Sequence, residues 1–184
     1  ALLIVLAVIW FGPIDYRKLA KPDEARYAEI SREMVASGDW LTPRLNDLKY
    51  FEKPPLQYWA TAAAFEVFGV SEGPARLWTA LTGFAGILLT YFAGRILFGR
   101  EQGFFAAAVL AGSMWYALLG HVNTLDMGLT FFFTLSIFGL LLAQREHAKS
   151  RQQRNWMLVA WLGMALAVLS KGLIGIVLPG AALV

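Results

Sequence analysis

Residues 127–143 read MGLTFFFTLSIFGLLLA, a run of 17 residues without a single charge. A helix rises 1.5 Å per residue and the hydrocarbon core of a bilayer is about 30 Å thick, so about 20 mostly apolar residues are needed to cross it. This run approaches that length and is apolar on every side of the helix that it would form. It predicts a membrane-spanning helix, and it therefore sets the class of protein.

Three further apolar runs accompany it, at residues 75–98, 103–120 and 156–169, and another begins at Leu173. The run at 156–169 is short and would need neighbouring helices or local thinning of the bilayer. Hydrophobic residues make up 58% of the 184 residues and the mean hydropathy is +0.53, more than a soluble domain of this size requires. We predict an all-α integral membrane bundle.

The chain opens inside the apolar run of residues 2–11 and stops inside another. We therefore expect residues 1–184 to form a single transmembrane catalytic module of a longer protein. A signal-peptide core is the alternative for the first run, but no basic segment precedes it and no small-residue cleavage site follows it.

The charged residues of the turns sort by side of the predicted bilayer. Short loops rich in Lys and Arg stay in the cytoplasm, and the basic turns carry Arg95, Arg100, Arg145, Lys149, Arg151 and Arg154. The opposite turns, residues 121–126 and 170–172, hold almost no basic charge, so we predict that they face outward with the long loop of residues 12–74. The charged residues that this topology brings to the outer face include Asp23, Lys53, Asp126 and Lys171.

Composition excludes several classes of function. Cysteine is absent, so no disulfide framework, thiolate metal site or cysteine nucleophile is available. The net charge of +3 reflects the basic turns. In the loop, basic residues alternate with acids instead of forming a stripe, which argues against a nucleic-acid partner.

The loop of residues 12–74 holds ten of the 13 acidic residues and has helix signals of its own. A first helix is predicted to begin at the Pro-Asp-Glu sequence of residues 22–24 and to end at Gly38. Its apolar residues recur at helical spacing, which is typical of a helix lying on the bilayer surface. A second helix is predicted from the Pro-Pro pair at residues 54–55 to Gly69.

Asp23 stands where the chain returns to the membrane surface, and two interpretations are open for it. As an N-cap it would accept hydrogen bonds from exposed backbone N–H groups. As a functional carboxylate, with Arg26 and Tyr27 at i+3 and i+4, it would face a substrate at the interface. The two roles are compatible, and Asp23 is therefore a candidate catalytic residue.

The sequence YFEKPP at residues 50–55 is the second candidate feature. A lone lysine in a polar loop is usually solvated, but Lys53 directly precedes a rigid Pro-Pro helix start. The free N–H groups and the dipole of a helix N-terminus favour an anion. Lysine at this place outlines a phosphate site, with Tyr50 and Glu52 beside it.

Asp126 and Lys171 lie in the two short outward turns. Asp126 follows Asn123 and Thr124, either of which would cap the next helix. A carboxylate at the membrane boundary is costly enough to favour a function. For Lys171 two interpretations stay open: its amine snorkels to the interface, or it pairs with Asp126 or an anionic headgroup.

Together these residues suit a substrate with an apolar tail and a phosphate. Cations bind the phosphate, a carboxylate accepts a proton or binds a sugar hydroxyl, and the apolar surface binds the tail. Composition and spacing lead no further than this.

The stretches PDEARYAEISREM at residues 22–34, GDWLTPRL at 38–45 and YFEKPPLQYW at 50–59 resemble the first-loop signature of polyprenyl-phosphate-dependent glycosyltransferases. These form the GT-C class, which includes the protein O-mannosyltransferases. The resemblance is closest to the bacterial aminoarabinose transferases that modify lipid A. It covers essentially the whole chain, and Asp126 and Lys171 also fit it.

The resemblance implies a multi-span GT-C bundle and an inverting transfer of a sugar, aminoarabinose in the closest case. The donor would be undecaprenyl-phosphate-linked and the acceptor a lipid A phosphate, among membrane lipids at the periplasmic face of the bacterial inner membrane. It also implies later spans and a soluble C-terminal domain. The implied catalytic residues are Asp23 and Asp126; the implied substrate-binding residues are Arg26, Tyr27, Tyr50, Glu52, Lys53 and Lys171, with Glu52 also a candidate ligand for a divalent cation.

Two alternatives stay open. A transferase of the same fold would move another sugar, such as mannose, to a protein or glycan hydroxyl. A transporter for a polyprenyl lipid would use the charged residues to couple its substrate. Transporters place their sites near the midplane of the membrane, whereas these charges are predicted at one surface.

Overall fold

The computed structural model describes residues 2–145 and 149–181 as a bundle of helices with a small hairpin. The helices are α1 (Leu2–Phe11), α2 (Asp23–Ser37), α3 (Leu56–Phe68), α4 (Glu72–Phe98), α5 (Arg100–Gly112), α6 (Met114–Gly120), α7 (Leu125–Ala143), α8 (Ser150–Lys171) and α9 (Ile174–Ala181). A 3-10 turn (Gly12–Asp15) follows α1, and the hairpin consists of the antiparallel strands β1 (Arg44–Leu45) and β2 (Leu48–Lys49).

The apolar runs are helical, as predicted. In the described part of the chain, α4 and α7 are each long and apolar enough to cross a membrane. The run between them is broken at Ser113, where α5 and α6 meet at a bend of 68°; such a pair is either one broken span or a re-entrant loop. Helix α8 is 22 residues long and extends beyond its predicted run at both ends. The all-α membrane fold is confirmed.

Glycines let the long helices approach closely. A Cβ atom at Gly163 of α8 would lie 2.9 Å from the backbone of Phe132 and Ser136 in α7, and one at Gly139 would lie 2.9 Å from the backbone of Ala160. Side chains larger than hydrogen would therefore separate α7 from α8. Small residues at such crossings are typical of membrane helix pairs, which associate by close packing because lipid supplies no hydrophobic driving force.

The two predicted helices of the outer loop are present. Helix α2 ends at Gly38, whose φ of +70° is the left-handed conformation that favours glycine at a helix C-terminus. Helix α3 follows Pro55 directly and ends before Gly69. Local sequence signals therefore predicted these ends within one or two residues.

The apolar face of α2 does not lie on the bilayer, so that prediction was wrong. Ile30 and Met34 are buried against α3 and the start of α7, in a cluster completed by Tyr27, Tyr58, Ala62 and Leu125. Burial against protein replaces burial in lipid because α3 offers a complementary apolar face. The loop of residues 12–74 is therefore part of the folded body, with Asp23, Arg26 and Tyr27 on α2 and the candidate residues 50–53 just before α3.

Candidate active site

Asp23 is the first residue of α2, and its side chain does not cap the helix. Pro22 occupies the N-cap position, and no side-chain hydrogen bond closes this helix end. The Asp23 carboxylate instead accepts a hydrogen bond from Arg26, and 52% of the Asp23 side chain is exposed. The capping interpretation is therefore wrong, and the structure leaves an accessible negative charge at the start of α2.

Arg26 lies beside that carboxylate and over an aromatic ring. Its guanidinium carbon is 5.3 Å from the centroid of Tyr27, close enough for cation–π attraction. The Arg26 Nε atom is buried and has no hydrogen-bond partner among the described residues. Because an unsatisfied buried donor costs free energy, this N–H is suited to an oxygen atom of a bound ligand.

Tyr50, Glu52 and Lys53 form a second contact group just before α3. The Tyr50 hydroxyl donates to one carboxylate oxygen of Glu52 at 2.6 Å, and the Lys53 amine lies 3.3 Å from the other. The hydrogen bond from Tyr50 and then that from Lys53 lower the pKa of Glu52. Burial, together with the hydrogen bond to Glu52, raises the pKa of Tyr50 to about 12. At neutral pH Tyr50 is therefore a donor and Glu52 an anion.

The structure brings the two groups together between α2 and α3. Arg26 lies within electrostatic range of Tyr50, Tyr27, Asp23 and Glu52. Tyr27 is buried at the interface of the two helices, and burial raises its pKa. We call this set the α2–α3 cluster; it consists of Asp23, Arg26, Tyr27, Tyr50, Glu52 and Lys53.

Tyr58 belongs beside this cluster and was missed by sequence analysis. It is fully buried, its ring lies 6.0 Å from that of Tyr27, and its hydroxyl has no hydrogen-bond partner among the described residues. Burial raises its pKa, so the hydroxyl stays protonated. The sequence signal was a tyrosine five positions after Lys53, inside the predicted second helix of the loop.

Asp126 and Lys171 form a pair that joins α7 and α8. The Lys171 amine donates to the Asp126 carboxylate, so the end of α8 is joined to the first turn of α7. This confirms the pairing interpretation of Lys171. Leu125, the neighbour of Asp126, packs in the same apolar cluster as Tyr27 and Tyr58. The start of α7 therefore packs against α2 and α3, through Leu125.

Glu24, rather than Asp23, is the buried carboxylate of the Asp-Glu sequence. It is 1% exposed. Burial by itself would raise its pKa, but the hydrogen bonds that it accepts lower the pKa to about 2. The donors to Glu24 are Arg76 Nε at 2.9 Å, Arg17 at 2.6 Å, and the backbone N–H groups of Ala20 and Asn123, each at 2.8 Å.

Arg76 is the partner of Glu24 and was also missed by sequence analysis. It lies in α4 and is 1% exposed. Besides Glu24 it donates to backbone carbonyls of the segment after α1, those of Ile14, Arg17 and Lys18, at 2.8 to 3.0 Å. The signal was a charged residue inside an apolar run, which is costly unless it is paired. Through these hydrogen bonds Arg76 links the loop of residues 12–74 to α4.

Residues that suit a metal ion do not converge in the described part of the chain. No three His, Asp or Glu side chains meet there as a metal site would require. Both carboxylate oxygens of Glu52 already contact Tyr50 or Lys53. Because Lys53 supplies positive charge at this place, the arrangement does not fit a divalent cation.

Fold and site together define a helical membrane protein with a charged cluster on the helices of its first loop. Over residues 1–184 the sequence matches the family described as dolichyl-phosphate-mannose-protein mannosyltransferase. The chain belongs to this family.

Several proteins with established names are similar to this chain over nearly all of its length. A protein from Proteus mirabilis (strain HI4320), named undecaprenyl phosphate-alpha-4-amino-4-deoxy-L-arabinose arabinosyl transferase 1, is 36% identical over 96% of this chain and 32% of its own length. The crystal structure of ArnT from Cupriavidus metallidurans bound to undecaprenyl phosphate is 45% identical, with a TM-score of 0.96 over 99% of this chain and 34% of that one. Its apo state is 46% identical, with a TM-score of 0.94 over the same shares. The chain thus spans about a third of the length of these relatives.

Proposed function

We propose that the whole protein transfers a sugar from an undecaprenyl-phosphate donor, and that residues 1–184 carry the donor-phosphate site. The observation that carries this proposal is the similarity in sequence and shape to a structure described as bound to undecaprenyl phosphate. The α2–α3 cluster supports it independently, because it combines cations with an accessible carboxylate.

The donors of the α2–α3 cluster suit a phosphate. The Arg26 Nε–H is buried without an acceptor in the described chain, and Lys53 contacts Glu52, itself an exposed side chain. Hydrogen bonds between charged groups are shorter and stronger than neutral ones. A phosphate oxygen bound here would accept the Arg26 Nε–H and give Lys53 a second anion to contact. The leaving phosphate gains negative charge as the sugar departs, and the same two cations stabilise it.

The proposed reaction balances without a general base when the acceptor is a phosphate. An acceptor oxygen forms a bond to the anomeric carbon, the bond from that carbon to the donor phosphate oxygen breaks, and undecaprenyl phosphate leaves with the electron pair. Attack from the opposite face inverts the configuration. Asp23 then orients the sugar or stabilises the positive charge that develops on it, with Asp126 as the second carboxylate at this face.

The names of the relatives support aminoarabinose as the sugar. We infer that the acceptor is a lipid A phosphate and that the site opens to the periplasm at the inner membrane. The basic turns after α4 and α7 support this orientation, because Lys and Arg keep short loops in the cytoplasm.

A second candidate is transfer of mannose to a protein hydroxyl, which the family description favours. A hydroxyl acceptor must lose a proton as it attacks, so Asp23 would then act as general base. The names of the relatives favour transfer of a sugar over transport of a lipid.

The test is mass spectrometry of lipid A from cells that carry or lack the whole gene. We expect lipid A to gain one aminopentose only with the wild-type gene. A glycosylated protein with unchanged lipid A would select the second candidate. If neither product forms with purified protein, donor and acceptor, the proposed function fails.

A further inference from the structure

Three segments far apart in the chain are joined by one buried amide. The Asn123 backbone N–H donates to the Glu24 carboxylate at 2.8 Å, and its side-chain N–H₂ contacts the Glu24 carbonyl at 3.5 Å. The Asn123 side-chain oxygen Oδ1 accepts from Gln57 Nε2 at 2.7 Å. Gln57 and Asn123 are 2% and 0% exposed. We call these three residues the amide junction.

Each residue of the amide junction is close in sequence to a candidate functional residue. Glu24 adjoins Asp23 on α2, Gln57 lies four residues after Lys53, and Asn123 lies three residues before Asp126. These links are short: Asp23 and Glu24 are consecutive in α2, Pro54 and Pro55, whose φ angles are fixed, separate Lys53 from α3, and Asn123 lies two residues before α7. The junction therefore sets the separation between three charged groups that come from three different elements.

The chemistry of amides suits a contact that holds two segments at a fixed separation. A side-chain amide donates on one side and accepts on the other, so the Gln57–Asn123 contact has one good geometry and resists sliding. An apolar contact of equal area would be less directional. Burying amides for adhesion alone brings little net stability, because each hydrogen bond made inside the protein replaces one made to water.

We propose that Gln57 and Asn123 are positioning residues, which hold the donor-phosphate site of α2 and α3 in register with Asp126 of α7. This inference rests on the proposed function and deepens it. Gln57 and Asn123 touch no reacting atom; they act through Lys53, Asp23 and Asp126. A shift of α3 relative to α7 would leave the donor bound but hold its anomeric carbon away from the acceptor.

The consequence is a separation of kinetic parameters. Misplacement by about 1 Å far from the chemistry can lower a rate by about a hundredfold. We therefore expect Gln57→Met in the whole protein to lower kcat roughly ten- to hundredfold and to leave KM for the undecaprenyl-phosphate sugar within about twofold, because Lys53 and Arg26 are unchanged. Asn123→Leu should behave in the same way.

Tyr116→Phe is the matched control. It removes one partly buried hydrogen bond between helices, from the Tyr116 hydroxyl to the Gly83 carbonyl at 2.8 Å, away from the amide junction. We expect its kcat to equal that of the wild type. Equal losses of kcat in Tyr116→Phe and Gln57→Met would overturn the inference, as would a wild-type kcat in Gln57→Met.

The double variant Gln57→Met/Asn123→Leu separates position from stability. Replacing both partners by apolar groups of similar shape is nearly neutral for folding, so Tm should recover toward the wild-type value while kcat stays low. Recovery of kcat together with Tm would make the junction merely structural.

Spin labels at the exposed positions 51 and 173 test the junction without turnover. In Gln57→Met the distance distribution between them should broaden, and in Tyr116→Phe it should not. An unchanged distribution would contradict the inference. Absence of transfer by the wild-type protein would instead reject the proposed function. The spin-label distances would then still show whether the amide junction holds these segments in place.

Discussion

Asp23 and Glu24 are neighbours in the chain and meet opposite surroundings. A helix turns about 100° per residue, so when Glu24 points into the protein Asp23 points out of it. Glu24 accepts hydrogen bonds from four donors and is buried, whereas Asp23 touches Arg26 and remains accessible. At the scale of single residues, the first carboxylate is available for chemistry and the second for structure.

Asp23→Asn tests the chemical role. The amide can still accept the hydrogen bond from Arg26, so we expect unchanged Tm and donor binding. Transfer should fall by about a hundredfold or more, the low end of what a positioned acid or base contributes. The assay is transfer by the purified whole protein, with Tm measured on the same samples. Near-normal transfer would move the catalytic role to Asp126.

Lys53→Ala tests the phosphate site. Hydrogen bonds to charged groups contribute about 1.5–3 kcal/mol, so the Kd for undecaprenyl phosphate should rise roughly ten- to hundredfold. Lys53→Arg should recover only part of the affinity, because the planar guanidinium of arginine does not replace the compact ammonium of lysine. Lys49→Ala, an exposed lysine of β2, is the control and should bind like the wild type. If Lys53→Ala binds normally, Lys171 becomes the next candidate.

At the scale of elements, the Glu24–Arg76 pair joins α2 to α4 through side chains that are both 1% exposed. Breaking a buried pair leaves an uncompensated charge and costs about 3–5 kcal/mol. We expect Arg76→Met to lower Tm by many degrees, and Glu24→Gln in that background to recover part of the loss. Arg95→Met, an exposed position of the same helix, should leave Tm unchanged. A Tm loss in Arg95→Met equal to that in Arg76→Met would contradict this prediction.

The same pair predicts a dependence of stability on pH. The pKa of Glu24 is lowered from its ordinary 4.5 to about 2 in the folded protein. A lowered folded-state pKa stabilises the protein above the unfolded-state pKa, and that stabilisation is lost as pH falls toward the folded-state value. The Tm difference between wild type and Glu24→Gln should therefore be constant above about pH 5 and shrink between about pH 4.5 and 2. A difference that does not change below pH 4.5 would show that another group controls acid unfolding.

At the scale of the whole molecule, the sidedness of the bundle decides whether the proposed site meets its donor. We predict that Arg95, Arg100, Arg145 and Arg154 face the cytoplasm and that Asp23, Lys53 and Asp126 do not. Single-cysteine variants in this cysteine-free chain are labelled with an impermeant thiol reagent in intact spheroplasts. Labelling should occur at the exposed position 47 and not at 149. The reverse result would invert the topology.

The sequence predicted what is local and missed what depends on distant partners. Helix ends at Gly38 and Pro55 follow from the conformations of glycine and proline, so they were found within a residue or two. Arg76 escaped notice because its partner, Glu24, lies 52 residues earlier. Tyr58 escaped because burial of its hydroxyl depends on how α2 packs. The bilayer-surface assignment of α2 failed for the same reason: helical spacing shows an apolar face but not what covers it.

The hydrogen bonds of Arg76 to the loop of residues 12–74 limit which segments of this protein can be exchanged with a relative. A chimera that receives residues 12–74 from a relative acquires the carboxylate of the pair but not its guanidinium, which belongs to α4. Such a graft works only where the recipient already has arginine at position 76. The loop alone therefore cannot be exchanged to change substrate specificity. The smallest segment that can be exchanged also includes the start of α4, with Arg76.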